Sequence, residues 1–376
     1  MPKDKLLFTP GPLTTSHSVK EAMLRDIGSR DDEFIALIRR IRDELPGLGG
    51  VSQSAGYEAV LMQGSGTFGV ESVISSVVPA NGKLLVAVNG AYGERMLRMA
   101  ARHGIPVEAL HTAENQTPNP DDFRRLLAAD SSITHVAVVH CETTTGILNP
   151  IEAIGVVVRD AGRTCIVDAM SSFGAIPIHL ENACIDFLIS SSNKCIQGVP
   201  GFSFVLAKRE KLLASEGSAR TLSLDLLEQW RGLEQSGQFR YTPPTHAILA
   251  FAGALRELEE EGGVAARGAR YRHNHEVLVN GMRAMGFRTY LPPEVQSCII
   301  TAFYVPADPK FAFAEFYRRL SGKGFVIYPG KISQADTFRI GSIGHLFEAD
   351  IRALLEAIRE TIAEMEVTLE TANDQS

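Results

Sequence analysis

Asp186-Phe187-Leu188-Ile189-Ser190-Ser191-Ser192-Asn193-Lys194-Cys195-Ile196-Gln197-Gly198-Val199-Pro200-Gly201 reads as a buried strand that runs into a lysine and then a Gly/Pro-rich turn. A lysine at that point is costly to bury and poorly placed as a surface charge. A covalent Schiff base to an aldehyde cofactor explains it, because desolvation lowers the amine pKa and makes it nucleophilic. On this stretch alone, a strand-end lysine that extends its head to solvent explains it equally well.

Outward from this stretch, further apolar strand-like runs occupy residues 83–88, 135–140, 164–168, 187–190 and 202–206. Helical patterns at 67–78, 92–103, 121–129 and 151–161 separate them. Near-continuous apolar strands alternating with helices imply a mostly parallel α/β sheet covered on both faces. Asn119-Pro120-Asp121-Asp122 has the chemistry of a capped helix start, with acidic residues in the first turn.

The pattern changes after Lys208. Residues 221–235 and 247–261 read as helices, and 264–285 as a long connecting helix. Strand-like runs follow at 297–305, 325–328 and 337–340, then an amphipathic helix at 349–369. The expected division is an N-terminal segment 1–20, a large domain 21–263, the connecting helix and a smaller α+β domain 286–370, with a disordered tail at 371–376.

The bulk numbers allow a large core and suggest about two domains. The chain has 376 residues, 45% of them hydrophobic, and a net charge of −7 spread along its length. No basic stripe suggests nucleic acid, and no run suggests a membrane span or signal-peptide core. Its five cysteines lack C-x-x-C spacing and four lie in or beside apolar runs, as free thiols in a reducing cytoplasm would.

Several polar positions carry chemistry. Gly64-Ser65-Gly66-Thr67-Phe68-Gly69 is a glycine-rich turn opening a helix, where backbone N–H groups, the helix dipole and two hydroxyls could cradle a phosphate. It also matches G-x-G-x-x-G, but the next strand ends Val88-Asn89-Gly90 without the carboxylate a dinucleotide ribose requires. Asp168 ends another strand, at the sheet edge where open α/β folds bind ligands. A buried carboxylate needs a cationic partner, which a pyridinium nitrogen would be; a capping aspartate is the alternative. The polar run His140-Cys141-Glu142-Thr143-Thr144-Thr145-Gly146 follows a strand and would line the same cleft, or be turn chemistry alone. Tyr92 could stack on a flat ring or simply pack. Arg339, on a strand flanked by glycines, suits bidentate contact with a carboxylate or phosphonate, or is an ordinary surface arginine. His273 and His275 have metal-like spacing, but H-x-H on a helix points the rings to different faces, so no metal is expected.

Taken in order, TPGPLTTS (9–16), GSGTFGVE (64–71), NGAYGERM (89–96), HCETTTGILNP (140–150), IVDAMSSFG (166–174), SSNKCIQGVPGF (191–202), FRYTPPTH (239–246), VIYPGK (326–331) and FRIGSIG (338–344) resemble the class V, fold-type I aminotransferases that use pyridoxal 5′-phosphate. The likeness is strongest to those acting on 2-aminoethylphosphonate and pyruvate. It implies a large domain with a mostly parallel seven-stranded sheet, a smaller C-terminal α+β domain, and a homodimer with active sites at the subunit interface. By the same resemblance, Lys194 is the Schiff-base lysine and Asp168 the pyridinium partner. Ser65, Gly66 and Thr67 are the phosphate cradle, Tyr92 the stacking aromatic and Thr143 a ring contact. Thr242 would reach a phosphate across the dimer, Arg339 would hold the substrate's acidic group, and Gly11 and Pro12 would wall the substrate. Serine– or alanine–glyoxylate aminotransferases share this scaffold. Cysteine desulfurases need a mobile, exposed thiol, unlike Cys195, locked beside the lysine, and Cys298, in an apolar strand.

Overall fold

Only residues 192–201 separate the strands Phe187–Ser191 and Phe202–Lys208. That is too short for the crossover of a dozen or more residues that parallel neighbours require, so the two pair antiparallel. A computed structural model describes residues 4–332 and 334–369 of the chain. The tail expected at 371–376 and the last residue of the expected small domain lie outside the described residues, as do the first three of the N-terminal segment.

The central sheet has seven strands, in the order Tyr57–Gln63, Phe202–Lys208, Phe187–Ser191, Thr164–Asp168, Ile133–Val139, Lys83–Val88 and Val107–His111. Phe202–Lys208 is antiparallel to both neighbours, and every other pairing is parallel. Two of these strands, Tyr57–Gln63 and Val107–His111, are additional to the runs picked out from hydropathy. The second lies at the sheet edge and is only partly buried, so its pattern is weak.

Helices Gly66–Val77, Ala91–Arg102 and Ile151–Asp160 match their expected spans within a residue, and Asn119 caps Pro120–Ala129 by accepting from Asp121 N. One expected helix begins late. Asp225 accepts from Glu228 N and starts the helix at Leu226, so residues 221–224 precede it rather than form its first turn.

A second apolar core gathers Phe8, Phe303, Phe316 and Phe338 with Leu278 and Met282 from the long helix Gly263–Ala284. A three-stranded sheet, Ile300–Tyr304, Thr337–Gly341 and Tyr328–Pro329, supports it, with helices Phe313–Gly322 and Glu348–Glu364. The single strand expected at 325–328 is two short ones. Phe325–Val326 pairs with Leu6–Leu7 and Tyr328–Pro329 with the Arg339 strand, so the chain changes partner at the buried Ile327. The Leu6–Leu7 pairing holds the N-terminal segment so that Pro10 and Gly11 pass over the carboxyl edge of the large sheet. No helix among the described residues is long and apolar enough to cross a membrane.

Candidate active site

The parallel strands Thr164–Asp168 and Phe187–Ser191 place Asp168 opposite Ile189 and send Ser191 and Lys194 off the same sheet edge. The turn that follows is tightly built. Gln197 N donates to Lys194 O at 2.7 Å and Gly198 N to Ser192 O at 2.9 Å. Gln197 accepts a left-handed φ of 67°, anchored by its side-chain amide on Tyr271 Oη. This hairpin turns the Lys194 side chain back over the sheet edge.

Lys194 and Asp168 line one cavity of about 180 Å³ with Ser65, Gly66, Thr67, Tyr92, Arg95, Met170, Ser191 and Asn193. Six residues expected from the sequence thus converge. Lys194 Nζ donates to Pro10 O at 2.8 Å. Burial, and more weakly the charges of Arg339 and Arg95, bring its amine down to about 8 against the opposing pull of Cys195 and Asp168. Asp168 is buried and makes no ion pair among the described residues. Its Oδ1 accepts from Met170 N at 2.9 Å, and burial raises its carboxyl to about 6.

The phosphate-like cradle has its donors available. Ser65 caps the Gly66–Val77 helix without binding it through its side chain. A methyl on Gly66 would run into Met170, and one on Gly69 would come within 2.6 Å of Ser203 Oγ. The Ser191 hydroxyl is buried with no partner. A helix N-terminus whose Ser65 hydroxyl makes no cap bond, a buried carboxylate without an ion pair, an orphaned serine and a low-pKa lysine together fit a phosphorylated, cationic-ring aldehyde.

The other expected residues lie around this cavity. Arg339 is buried on its strand; its Nε donates to Pro329 O at 2.9 Å and its Nη1 to Thr143 O at 2.7 Å. Thr143 is thus tied in through its carbonyl, as the support of Arg339. A methyl on Gly11, at φ 132°, would overlap Lys194 Nζ, so its lack of a side chain makes room for the amine. Pro12 O accepts from Thr9 Oγ1 at 2.6 Å, which folds this segment on itself. Thr242 is exposed and outside the cavity of the single chain; its carbonyl accepts from Gln63 Nε2 at 3.3 Å.

Three participants were not singled out from the sequence. Arg95 donates to Thr67 Oγ1 at 3.0 Å and lies 4.7 Å from the Tyr92 ring centre, joining cradle to aromatic. Its signal was the i, i+3 spacing from Tyr92 on one helix face. Ser191 and Pro10 carried no pattern of their own. Glu142, expected to line the cleft, is not among the residues that line it. It is fully buried, accepting from Tyr92 N and Thr144 N at 3.0 Å each and from Thr144 Oγ1 at 2.5 Å. It thereby pins the start of the Tyr92 helix, where a carboxylate meets the positive end of the dipole.

The histidines and thiols are held separately. His273 pairs with Glu348 at 2.7 Å, while His275 meets Thr301 Oγ1 at 3.2 Å. No group of three or more His, Cys, Asp or Glu side chains is arranged to hold a metal among the described residues. Cys195 is buried and donates to Ser171 O at 3.0 Å, and burial pushes its thiol well up, the reverse of an activated nucleophile.

Residues 15–312 match the family model for class-V aminotransferases. The chain is 55% identical over 359 residues to a protein named 2-aminoethylphosphonate–pyruvate transaminase from Salmonella schwarzengrund, covering 95% of this chain and 97% of that one. A protein of the same name from Salmonella typhimurium is 54% identical over the same shares of each chain. Among solved structures, ureidoglycine–glyoxylate aminotransferase from Bacillus subtilis superposes with a TM-score of 0.89 at 22% identity, over 99% of this chain and 96% of that one.

Proposed function

The chain belongs to the class-V aminotransferase family, a family that depends on pyridoxal phosphate, and from that premise we propose that it transfers the amino group of 2-aminoethylphosphonate to pyruvate. The products are phosphonoacetaldehyde and L-alanine, a step in phosphonate breakdown. The observation that carries this reading is the convergence of Lys194 and Asp168 in one cavity, with the buried Arg339 near enough to shift the Lys194 amine. The names of the two Salmonella relatives support the choice of substrates.

Pyridoxal phosphate, when bound, supplies an electrophilic aldehyde and a protonated ring that draws electrons from the substrate carbon. The remaining work belongs to the chain's residues. Lys194 is the nucleophile that holds the cofactor, favoured because burial keeps much of its amine neutral near pH 8. Once displaced, it is the base that takes the proton from the carbon bearing the substrate amine. Pro10 O orients the Lys194 amine. Asp168 holds the proton at the ring nitrogen; a buried carboxylate without a cation of its own favours a cationic partner.

Ser65, Gly66 and Thr67 receive the phosphate, Ser191 adds a hydroxyl, and Arg95 adds positive charge beside Thr67. Tyr92 covers the ring, and Thr143 positions Arg339 through its carbonyl. Arg339 holds the phosphonate of one substrate and the carboxylate of the other, with Gly11 and Pro12 as the facing wall. We assign Thr242 to the phosphate of a neighbouring subunit in a homodimer. The exposed Phe68 and Tyr241, near the cradle and beside Thr242, support a partner chain on this face. Residues 21–263 act as the large cofactor-binding domain, joined through 264–285 to the small domain, in a cytoplasmic enzyme.

The test is alanine formation from pyruvate and 2-aminoethylphosphonate, set beside half-reaction rates with serine and alanine. Lys194→Ala is expected to lose turnover and the visible absorbance of the bound cofactor together. Normal turnover by that variant, or a half-reaction with serine faster than with 2-aminoethylphosphonate, would overturn the reading.

A further inference from the structure

Cations gather around Tyr92, which lines the cavity. Arg95 lies 4.7 Å from the Tyr92 ring centre and Lys331 Nζ 5.2 Å from it. Arg339 commits Nε and Nη1 to two backbone carbonyls, and its Nη2 meets no protein acceptor among the described residues. Lys331 also borders an adjoining groove with Gly90, Glu94, Arg98 and His111. Neither Lys331 nor Arg339 forms an ion pair with a carboxylate among the described residues. The buried acid Glu142 is occupied by the backbone of Tyr92 and by Thr144.

Desolvation, followed by the charges of Arg95 and Arg339, holds the Lys331 ammonium below its ordinary range, while Glu142 opposes the shift and Arg98 adds to it. Neighbouring cations that make no ion pair are stabilised by an anion of matching charge. A carboxylate brings one negative charge, which Arg339 balances alone. A phosphonate near neutral pH carries between one and two charges and three acceptor oxygens, much as a phosphate monoester does.

Building on the substrate reading above, we propose that Lys331 is the residue that selects phosphonate over carboxylate, as the second cation acting with Arg339 while Tyr92 supports its ammonium.

The experiment uses the cofactor-loaded enzyme with the non-reacting probes ethylphosphonate and propionate, whose binding is measured by calorimetry in the unaltered protein, Lys331→Gln and Lys331→Arg. A charge-assisted contact predicts that Lys331→Gln weakens ethylphosphonate roughly tenfold or more. Propionate should change by less than about twofold, since its single charge rests on Arg339. Lys331→Arg should restore most of the phosphonate preference. In turnover, the KM for 2-aminoethylphosphonate should rise far more than that for pyruvate. Equal weakening of both probes, or no change in either, would overturn the assignment. An unaltered enzyme that prefers ethylphosphonate through Lys331 yet does not turn over 2-aminoethylphosphonate would support the assignment and overturn the substrate reading.

Discussion

Lys194 Nζ donates a 2.8 Å hydrogen bond to the carbonyl of Pro10, joining residues 184 positions apart in the chain. The lysine comes from the large sheet, and the carbonyl from a segment held by the pairing of Leu6–Leu7 with Phe325–Val326. The lysine of one core is therefore held by a segment anchored in the other. Gly11 makes this approach possible, because any side chain there would occupy the space of the amine.

Gly11→Ala tests that relationship. The new methyl would meet Lys194 Nζ and sit on a backbone at φ 132°, a region that L side chains rarely adopt. The variant should lose about 1–3 kcal/mol of stability from backbone strain. Turnover should fall by about tenfold or more, since an ångström-scale displacement of a reacting group carries such a cost. Thermal unfolding and single-turnover kinetics check the two effects. Normal kinetics with normal stability would show that the N-terminal segment is not held against the amine.

Asp168→Asn should separate stability from function. The folded carboxyl has its pKa raised from 3.8 to about 6, so its stabilising form is the protonated one. That contribution is fully present below about 4 and is lost as pH rises through about 6. In cofactor-free protein, the asparagine variant should therefore match the parent below about pH 4 and exceed its stability by roughly 1–3 kcal/mol above about pH 6. Asparagine keeps an oxygen for Met170 N but cannot hold a proton at a ring nitrogen, so turnover should fall by at least about a thousandfold. Chemical unfolding as a function of pH and steady-state rates measure the two. A stability loss at pH 8 would contradict the burial argument.

The Lys194 amine should reveal its depressed pKa when cofactor is added back to stripped protein. Its ordinary value of 10.5 falls to about 8, chiefly through burial, and only the neutral amine attacks an aldehyde. The reconstitution rate should rise with pH and level off above about 8, rather than climb toward 10 as an exposed lysine would require. Stopped-flow absorbance across pH 6.5–9.5 gives the midpoint. A rate still rising steeply at the top of that range would mean that the amine is solvated in the cofactor-free protein.

Strand ends and helix starts are local events, and the residues that depend on them were legible in the chain. Apolar runs ending in Asp168 and before Lys194, and a glycine turn opening a helix at Gly66, announce themselves through hydropathy and turn chemistry. Parallel packing then brings those ends to one edge, so their convergence followed from the fold class. The hairpin reversal between Phe187–Ser191 and Phe202–Lys208 was also implicit, in a connection too short to cross over.

Other contacts depend on distances that no local pattern encodes. Glu142 lies in a polar run that reads as cleft lining, yet it is drawn inward because the start of the Ala91–Arg102 helix leaves unpaired N–H groups beside it. Arg95 looks like any helical arginine until the helix packs with Thr67 within reach. Pro10 has only a carbonyl to offer, and only the docking of the two cores decides which amine it meets. The sequence by itself determined the strand ends and helix start that line the cavity, because hydrogen-bonded strands and capped helices follow from neighbouring residues. Tertiary structure alone decided which groups orient, charge and confine them, because packing sets those distances between residues from 28 to 184 positions apart in the chain.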